Sequence, residues 1–73
     1  MSPSLPLLSG REVVRAFESL GWQVGQNGSH IIMVKESEMT TLSIPDHREV
    51  AKGTLRSLIR AAGITVSEFI ART

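Results

Sequence analysis

The chain has 73 residues, a net charge of +1 and no cysteine. A chain of this length forms one small domain, spanning 1–73, whose core is close to the smallest that folds without disulfide bonds or a bound metal. The net charge is too small to indicate a polyanionic partner by itself, and no run approaches the roughly eighteen apolar residues of a membrane span. Because the chain also lacks a signal-peptide pattern, we expect a cytoplasmic protein with no membrane association.

A helix is predicted over residues 10–20, after an extended N-terminal segment, residues 1–8. Ser9 and Glu12 have the spacing of a capping box, in which each satisfies a backbone amide of the other. Gly21 stands where helices commonly end. Apolar side chains recur at helical spacing between these two points: Val13, Phe17 and Leu20.

Three short strands are predicted next, at about 22–26, 29–35 and 38–44. The Asn27-Gly28 dipeptide between strand-like segments favours a two-residue type I′ turn, in which both residues have positive φ. Such a turn would pair Gln26 with Ser29, Gly25 with His30, Val24 with Ile31, and Trp22 with Met33.

The second hairpin is predicted to turn at Glu36-Ser37. That turn would pair Lys35 with Glu38, Met33 with Thr40, Ile31 with Leu42, and Ser29 with Ile44. One face of the sheet is then apolar, with Trp22, Val24, Ile31, Met33, Leu42 and Ile44. The opposite face is mixed, with Gln23, Gly25, His30, Ile32, Val34, Met39, Thr41 and Ser43.

Two helices complete the prediction. Apolar residues at helical spacing indicate a helix at about 53–62 that ends at Gly63, and Thr65 and Glu68 repeat the capping-box spacing before a last short helix. The order is α-β-β-β-α-α. We therefore predict an α+β fold, in which the helices cover one face of a three-stranded antiparallel sheet.

Positive charge is concentrated between residues 47 and 60, where four basic residues and one acidic residue give a net charge of +3. Lys52, Arg56 and Arg60 recur every four residues on one helix face, with Arg48 just ahead of them. This basic row, Lys52, Arg56 and Arg60, suits a phosphate backbone and would make binding salt-dependent without reading bases. On the residues alone, a solvated helix face is the favoured interpretation.

Two histidines are the candidate catalytic residues. His30 can act as a general base or acid near neutral pH, and the alternative is a solvent-facing strand residue without a role. His47 is a second candidate, as a general acid or a phosphate contact, although a polar loop residue is the favoured interpretation. Ser29 adjoins His30 in a strand, so we expect the two side chains to point to opposite faces and not to share a proton.

No metal site or other cofactor is expected. The two histidines lie seventeen residues apart, without cysteine or paired carboxylates nearby, which is not the ligand pattern of a zinc or magnesium site.

Several motifs together resemble the HicA-like messenger-RNA interferase toxins of bacterial toxin–antitoxin pairs, whose fold is similar to a double-stranded-RNA-binding domain. The shared motifs follow the family order over nearly the whole chain: Leu20-Gly21-Trp22, Gly28-Ser29-His30, Ile44-Pro45-Asp46-His47, Lys52-Gly53-Thr54-Leu55-Arg56, Ala62-Gly63-Ile64 and Glu68-Phe69. The chain departs from the pattern just before the histidine motif, with Gln26 and Asn27 where many relatives have Arg or Lys.

The resemblance implies a metal-independent endoribonuclease that cleaves mRNA, with a single catalytic histidine at His30. It also implies a cognate HicB-like antitoxin protein that occludes the site. Gly28, Ser29, Arg48 and the basic row are the residues expected to contact RNA. Two other classes stay open: a non-catalytic RNA-binding module that uses the basic row, and a protein-interaction domain that uses the mixed face of the sheet.

Overall fold

A computed structural model describes residues 4–73, so the first three residues of the predicted N-terminal segment lie outside the described residues. The elements are α1 (Gly10–Ser19), β1 (Gln23–Asn27), β2 (His30–Val34), β3 (Leu42–Pro45), α2 (Lys52–Ala61) and α3 (Val66–Ile70). The strands form one antiparallel sheet in the order β1-β2-β3. The predicted fold class and element order are confirmed.

The ends of α1 are set by local chemistry. The Ser9 hydroxyl accepts a hydrogen bond from the Glu12 amide at 3.1 Å, and the Glu12 carboxylate accepts one from the Ser9 amide at 2.9 Å. The predicted capping box is therefore formed. At the other end Gly21 has a φ of 97°, a conformation that residues with a side chain rarely adopt, and the helix ends just before it.

The capping box predicted for the last helix is also formed. The Thr65 hydroxyl accepts from the Glu68 amide at 3.1 Å, while the Glu68 carboxylate accepts from the Thr65 amide at 2.9 Å. Gly63, with a φ of 74°, lies in the link that joins α2 to this helix. At the start of both α1 and α3, the side chains of a capping box therefore bind backbone amides that have no partner within the helix.

The predicted Asn27-Gly28 type I′ turn is wrong. Within residues 4–73 positive φ occurs only at Gly21 and Gly63, so neither turn residue has the required conformation. Asn27 pairs with Ile31, and Val24 pairs with Met33 instead of Ile31, with a register irregularity between Val24 and Gln26. Gly25 lies in this irregularity, which adds one residue to β1 and moves the turn to residues 28–30.

One consequence of the predicted register is wrong as well. A Cβ atom on Gly25 would lie 3.8 Å from the Val34 methyl groups, so Gly25 is beside Val34 and not beside His30. Val24 lies on the same face as Met33, as predicted, but 41% of its surface is exposed and it is not in the core. It lies on an edge strand, in a groove that it shares with Arg15 and Val14 of α1.

The predicted pairing of β2 with β3 is wrong by two residues. Ile31 pairs with Ile44, Met33 with Leu42, and His30 with Pro45. The predicted turn does form, because the Glu38 amide donates to the Lys35 carbonyl at 2.9 Å, but the chain does not pair again until Leu42. Met39 and Thr41 therefore lie in a loop and not on the sheet, and Met39 is fully exposed.

The face on which each side chain of β2 and β3 lies is nevertheless as predicted. A shift of two residues in the register leaves every side chain on the same face of the sheet. We call the helix-covered side the inner face; its strand residues are Ile31, Met33, Leu42 and Ile44, each no more than 2% exposed. The other side, which carries His30, Ile32, Val34 and Ser43, is the outer face. Trp22, Phe17, Leu55 and Phe69 join the inner face in one core.

The helices pack on the inner face, with α1 against β1 and β3, α2 against β3, and α3 against α2. The described part of the N-terminal segment has no regular secondary structure, but Leu5 and Leu8 are buried in the same core. The Leu8 carbonyl accepts from the Val50 amide at 2.8 Å, which ties this segment to the approach to α2.

Candidate active site

A shallow depression of about 360 Å³ lies at the end of the sheet where β1 turns into β2. It is lined by residues 26–30 and by Ile32. Every residue from 26 to 30 is exposed. The depression therefore brings together three of the predicted site residues, Gly28, Ser29 and His30.

His30 is directed by its place in the strand. It is the first residue of β2, and the next residue, Ile31, is buried in the core. Because strand side chains alternate between faces, the imidazole is on the outer face together with Ile32 and Val34. The core thus fixes the orientation of His30 without covering it.

Gly28, in the turn that precedes this histidine, has open space around it. A Cβ atom at Gly28 would meet no atom within 4 Å. The expectation for Ser29 needs correction, because Ser29 precedes the strand and lies in the turn, where strand alternation does not apply. Ser29 and His30 both line the same depression.

The segment that follows β3 continues alongside this turn. The Asp46 amide donates to the Ser29 carbonyl at 3.2 Å, one step beyond the pairing of His30 with Pro45. His47 is exposed, and its carbonyl accepts from the Gly10 amide at 2.9 Å. The sheet therefore places the main chain of the second candidate histidine near the turn that carries the first.

Asp46 is also held by α1. The Arg11 guanidinium contacts both carboxylate oxygens of Asp46, with Nε to Oδ1 at 3.4 Å and Nη2 to Oδ2 at 3.3 Å. Sequence analysis missed this pair, because thirty-five residues separate its members and no local spacing relates them. The sequence did single out Asp46 as part of the Ile44-Pro45-Asp46-His47 motif, but it did not relate this residue to Arg11.

The basic row is not part of the depression. Lys52, Arg56 and Arg60 are exposed on α2, whereas Leu55, Leu58 and Ile59 of the same helix are buried in the core. Since α2 packs on the inner face, the sheet layer lies between this row and the outer face with His30. Arg48, also exposed, lies in the segment that connects the end of β3 to α2.

Two further features of residues 4–73 bear on the chemistry. No three His, Cys, Asp or Glu side chains of this part of the chain come together in a way that could hold a metal ion. None of its helices has the length and apolar character needed to cross a membrane.

The fold and the site define a class: a small α+β domain with an exposed histidine at the start of the central strand, next to a glycine-containing turn. The sequence model of the family described as HicA toxin of bacterial toxin-antitoxin matches residues 10–64, more than half of the chain. The chain belongs to this HicA toxin family, and the family resemblance inferred from the motifs is confirmed. A toxin of such a pair has a cognate antitoxin. No curated protein and no solved structure is detectably similar to the chain.

Proposed function

We propose that the protein is an endoribonuclease that cleaves mRNA without a metal ion and uses His30 as its catalytic residue. The observation that supports this most is the exposed imidazole at the edge of an open depression, fixed in direction by a fully buried neighbour. The depression is wide and shallow, which suits a flexible strand of RNA better than an enclosed small molecule.

His30 would act on the ribose 2′-hydroxyl. The imidazole takes the hydroxyl proton, the 2′ oxygen forms a bond to the adjacent phosphorus, and the bond from phosphorus to the 5′ oxygen breaks. The leaving 5′ oxygen takes a proton from solvent, or from His47 if its imidazole reaches the same phosphate. A single general base contributes about 10² to 10⁴-fold, so the enzyme would be a modest one.

RNA would be held mainly through its backbone. The basic row and Arg48 supply four positive charges outside the depression, and contacts of this kind make affinity depend on salt. The three aromatic residues, Phe17, Trp22 and Phe69, are all buried in the core, so stacking of bases beside His30 is not expected. We therefore propose weak sequence selectivity at the cleaved bond.

The antitoxin is proposed to act by covering the outer face. Ile32 is half-buried and Val34 is 40% exposed, so apolar surface adjoins His30 on this side of the sheet. A protein that packs against these side chains would also close the depression to RNA.

The decisive experiment compares His30→Ala with wild type on a labelled RNA in the presence of EDTA, and on the same strand made of DNA. We expect wild type to cleave only RNA, and His30→Ala to lose about a hundredfold or more of that activity. Its unfolding free energy should change by less than about 1 kcal/mol. Ser43→Ala, on the outer face opposite Ile32, is the matched control and should cleave normally.

His30→Ala and a variant of the basic row together separate the three candidate functions in growing cells. A nuclease toxin arrests growth when expressed, and His30→Ala abolishes the arrest. For a non-catalytic RNA-binding module, replacement of Lys52, Arg56 and Arg60 by Gln would abolish the arrest while His30→Ala would not. If neither change affected the growth arrest, a protein-interaction domain would be favoured, and the nuclease proposal would be wrong.

A further inference from the structure

Three elements that are distant in sequence meet where α1 begins. Gly10 and Arg11 belong to the first turn of α1, and both contact the segment that leaves β3, Gly10 through the His47 carbonyl and Arg11 through the Asp46 carboxylate. Asp46 in turn contacts the Ser29 carbonyl through its amide. We call these contacts the α1–β3 junction.

The α1–β3 junction lies next to the candidate catalytic residue, His30. Regular pairing of β2 with β3 ends at His30 and Pro45, and the hydrogen bond from Asp46 to Ser29 is the next one along. On its other side, the turn at residues 28–30 is exposed and Gly28 has no neighbour within 4 Å of a Cβ position. Asp46 is thus the anchor for the residue that immediately precedes His30.

We propose that Arg11 and Asp46 are positioning residues, which hold the Ser29–His30 peptide in the orientation that the RNA substrate requires. The role in catalysis rests on the proposed function. The positioning of the turn is a property of the fold that can be measured separately.

The geometry of the pair favours positioning over stability. Its side chains are 61% and 30% exposed, and ion pairs so open to water add little to the free energy of unfolding. An arginine that contacts both oxygens of a carboxylate does, however, fix the direction of that carboxylate. Because the Asp46 side chain and amide belong to one residue, Arg11 also constrains the amide that donates to Ser29.

A shift of the reacting group by about 1 Å can reduce turnover a hundredfold. We therefore expect Arg11→Gln and Asp46→Asn to lower kcat for RNA cleavage by about tenfold to a hundredfold, with KM little changed. Asp46→Asn keeps the backbone amide and the shape of the side chain. Arg15→Gln, one turn further along α1 and outside the α1–β3 junction, is the matched control and should keep the kcat of wild type.

Charge reversal tests whether the pair itself is responsible. The double variant Arg11→Asp with Asp46→Arg restores an ion pair at the same place. We expect its kcat to exceed that of either reversed single variant by about tenfold. A double variant no better than the worse single would overturn the proposal.

Amide spectra provide a readout besides activity. In Arg11→Gln, the NMR shifts of the Ser29 and His30 amides should move and the Asp46 amide should exchange faster with solvent, whereas Arg15→Gln should leave all three unchanged. Unchanged spectra in Arg11→Gln would overturn the proposal. So would a wild-type kcat in Arg11→Gln when His30→Ala is inactive.

If the proposed function itself were wrong, the same variants would give a different result. If His30→Ala cleaved RNA as well as wild type, His30 would not be the catalytic residue, and the catalytic role of Arg11 and Asp46 would fall with it. The amide shifts would then still decide whether the α1–β3 junction positions the turn.

Discussion

The two faces of the sheet differ sharply in solvent exposure, although they are built from the same three strands. On β2, Ile31 and Met33 are 2% and 0% exposed, while Val34, the next residue along, is 40% exposed. The inner face is covered by α1 and α2, with α3 packed against α2, whereas the outer-face residue Val34 is largely open to solvent. Neighbouring residues of one strand therefore lie in different surroundings: the inner ones are buried in the core, and the outer ones adjoin the histidine for which a catalytic role is proposed.

The largest effect is expected where the inner face meets the helices. Phe17 is fully buried, with its ring 5.2 Å from that of Phe69 and 6.4 Å from that of Trp22, measured between centroids. Phe17→Ala should cost about 3–5 kcal/mol, a large part of the roughly 4–11 kcal/mol expected for a domain of this size. Urea denaturation followed by circular dichroism measures the loss.

Val34→Ala is the outer-face control for this experiment. Because Val34 is 40% exposed, we expect the unfolding free energy to fall by less than about 1 kcal/mol. Equal losses in the two variants would contradict the separation of the faces.

A smaller effect is expected at the first turn of α1. A methyl group on Gly10 would overlap the Pro45 carbonyl oxygen, which is backbone and cannot move aside cheaply. Gly10→Ala gains at most about 1 kcal/mol in helix propensity, whereas overpacking costs about 1–3 kcal/mol, so we expect net destabilisation. The change in melting temperature measures the balance.

Gly28→Ala is the matched control. Gly28 does not have positive φ and a Cβ atom there would meet nothing within 4 Å. Its melting temperature should be near that of wild type. A Gly10→Ala protein as stable as Gly28→Ala would show that α1 can move away from Pro45 without cost.

Local chemistry explains which elements could be predicted from the sequence. The capping boxes at Ser9 and Thr65 are formed because both partners lie within one helical turn, and the buried face of β2 follows from strict alternation. The register of β1 was missed because the turn lies at residues 28–30 and not at Asn27-Gly28, and because Gly25 adds one residue to the strand. A glycine inside a predicted strand is itself a sign of such an irregularity.

Contacts between distant segments could not be predicted in this way. His30 was predicted as the catalytic residue from its motif, but the motif says nothing of what holds the turn in place. Arg11 meets Asp46 only because the inner face brings α1 alongside the end of β3, and that arrangement depends on the packing of the whole core.

The capping box of α1 should also make stability depend on pH. The hydrogen bond from the Ser9 backbone, and then that from the Ser9 side chain, lowers the pKa of Glu12 from its ordinary value of 4.5. A carboxyl group with a lowered pKa in the folded state stabilises the fold above the unfolded pKa, and this contribution is lost as the pH falls through the folded value.

We therefore expect Glu12→Gln to flatten the decline of stability below about pH 4.5. Glutamine keeps an oxygen that can accept from the Ser9 amide but does not titrate there. Thermal denaturation at several pH values measures the difference. Glu18→Gln, on the same helix but outside the capping box, is the control, and an equal flattening in that variant would argue against the capping box as the cause.

The smallest effect on stability is expected on the outer face, where the antitoxin is proposed to bind. Val34→Gln should change the unfolding free energy by less than about 0.5 kcal/mol, because the side chain is already partly in water. If the antitoxin packs against this face, the same change should weaken its affinity about fivefold or more, as expected when an apolar contact inside an interface is replaced by a polar one. Titration of the purified antitoxin against the two toxins measures the loss.

Val24→Gln is a close control, since Val24 is 41% exposed but lies on the other side of the sheet, beside α1. It should bind antitoxin as wild type does, and equal weakening in both variants would move the interface to the β1 edge. Hydrogen exchange of the complex gives the location independently. An antitoxin that occludes His30 must slow exchange in β1 and β2, whereas protection confined to residues 66–72 would mean that it inhibits from α3, leaving the outer face open to RNA.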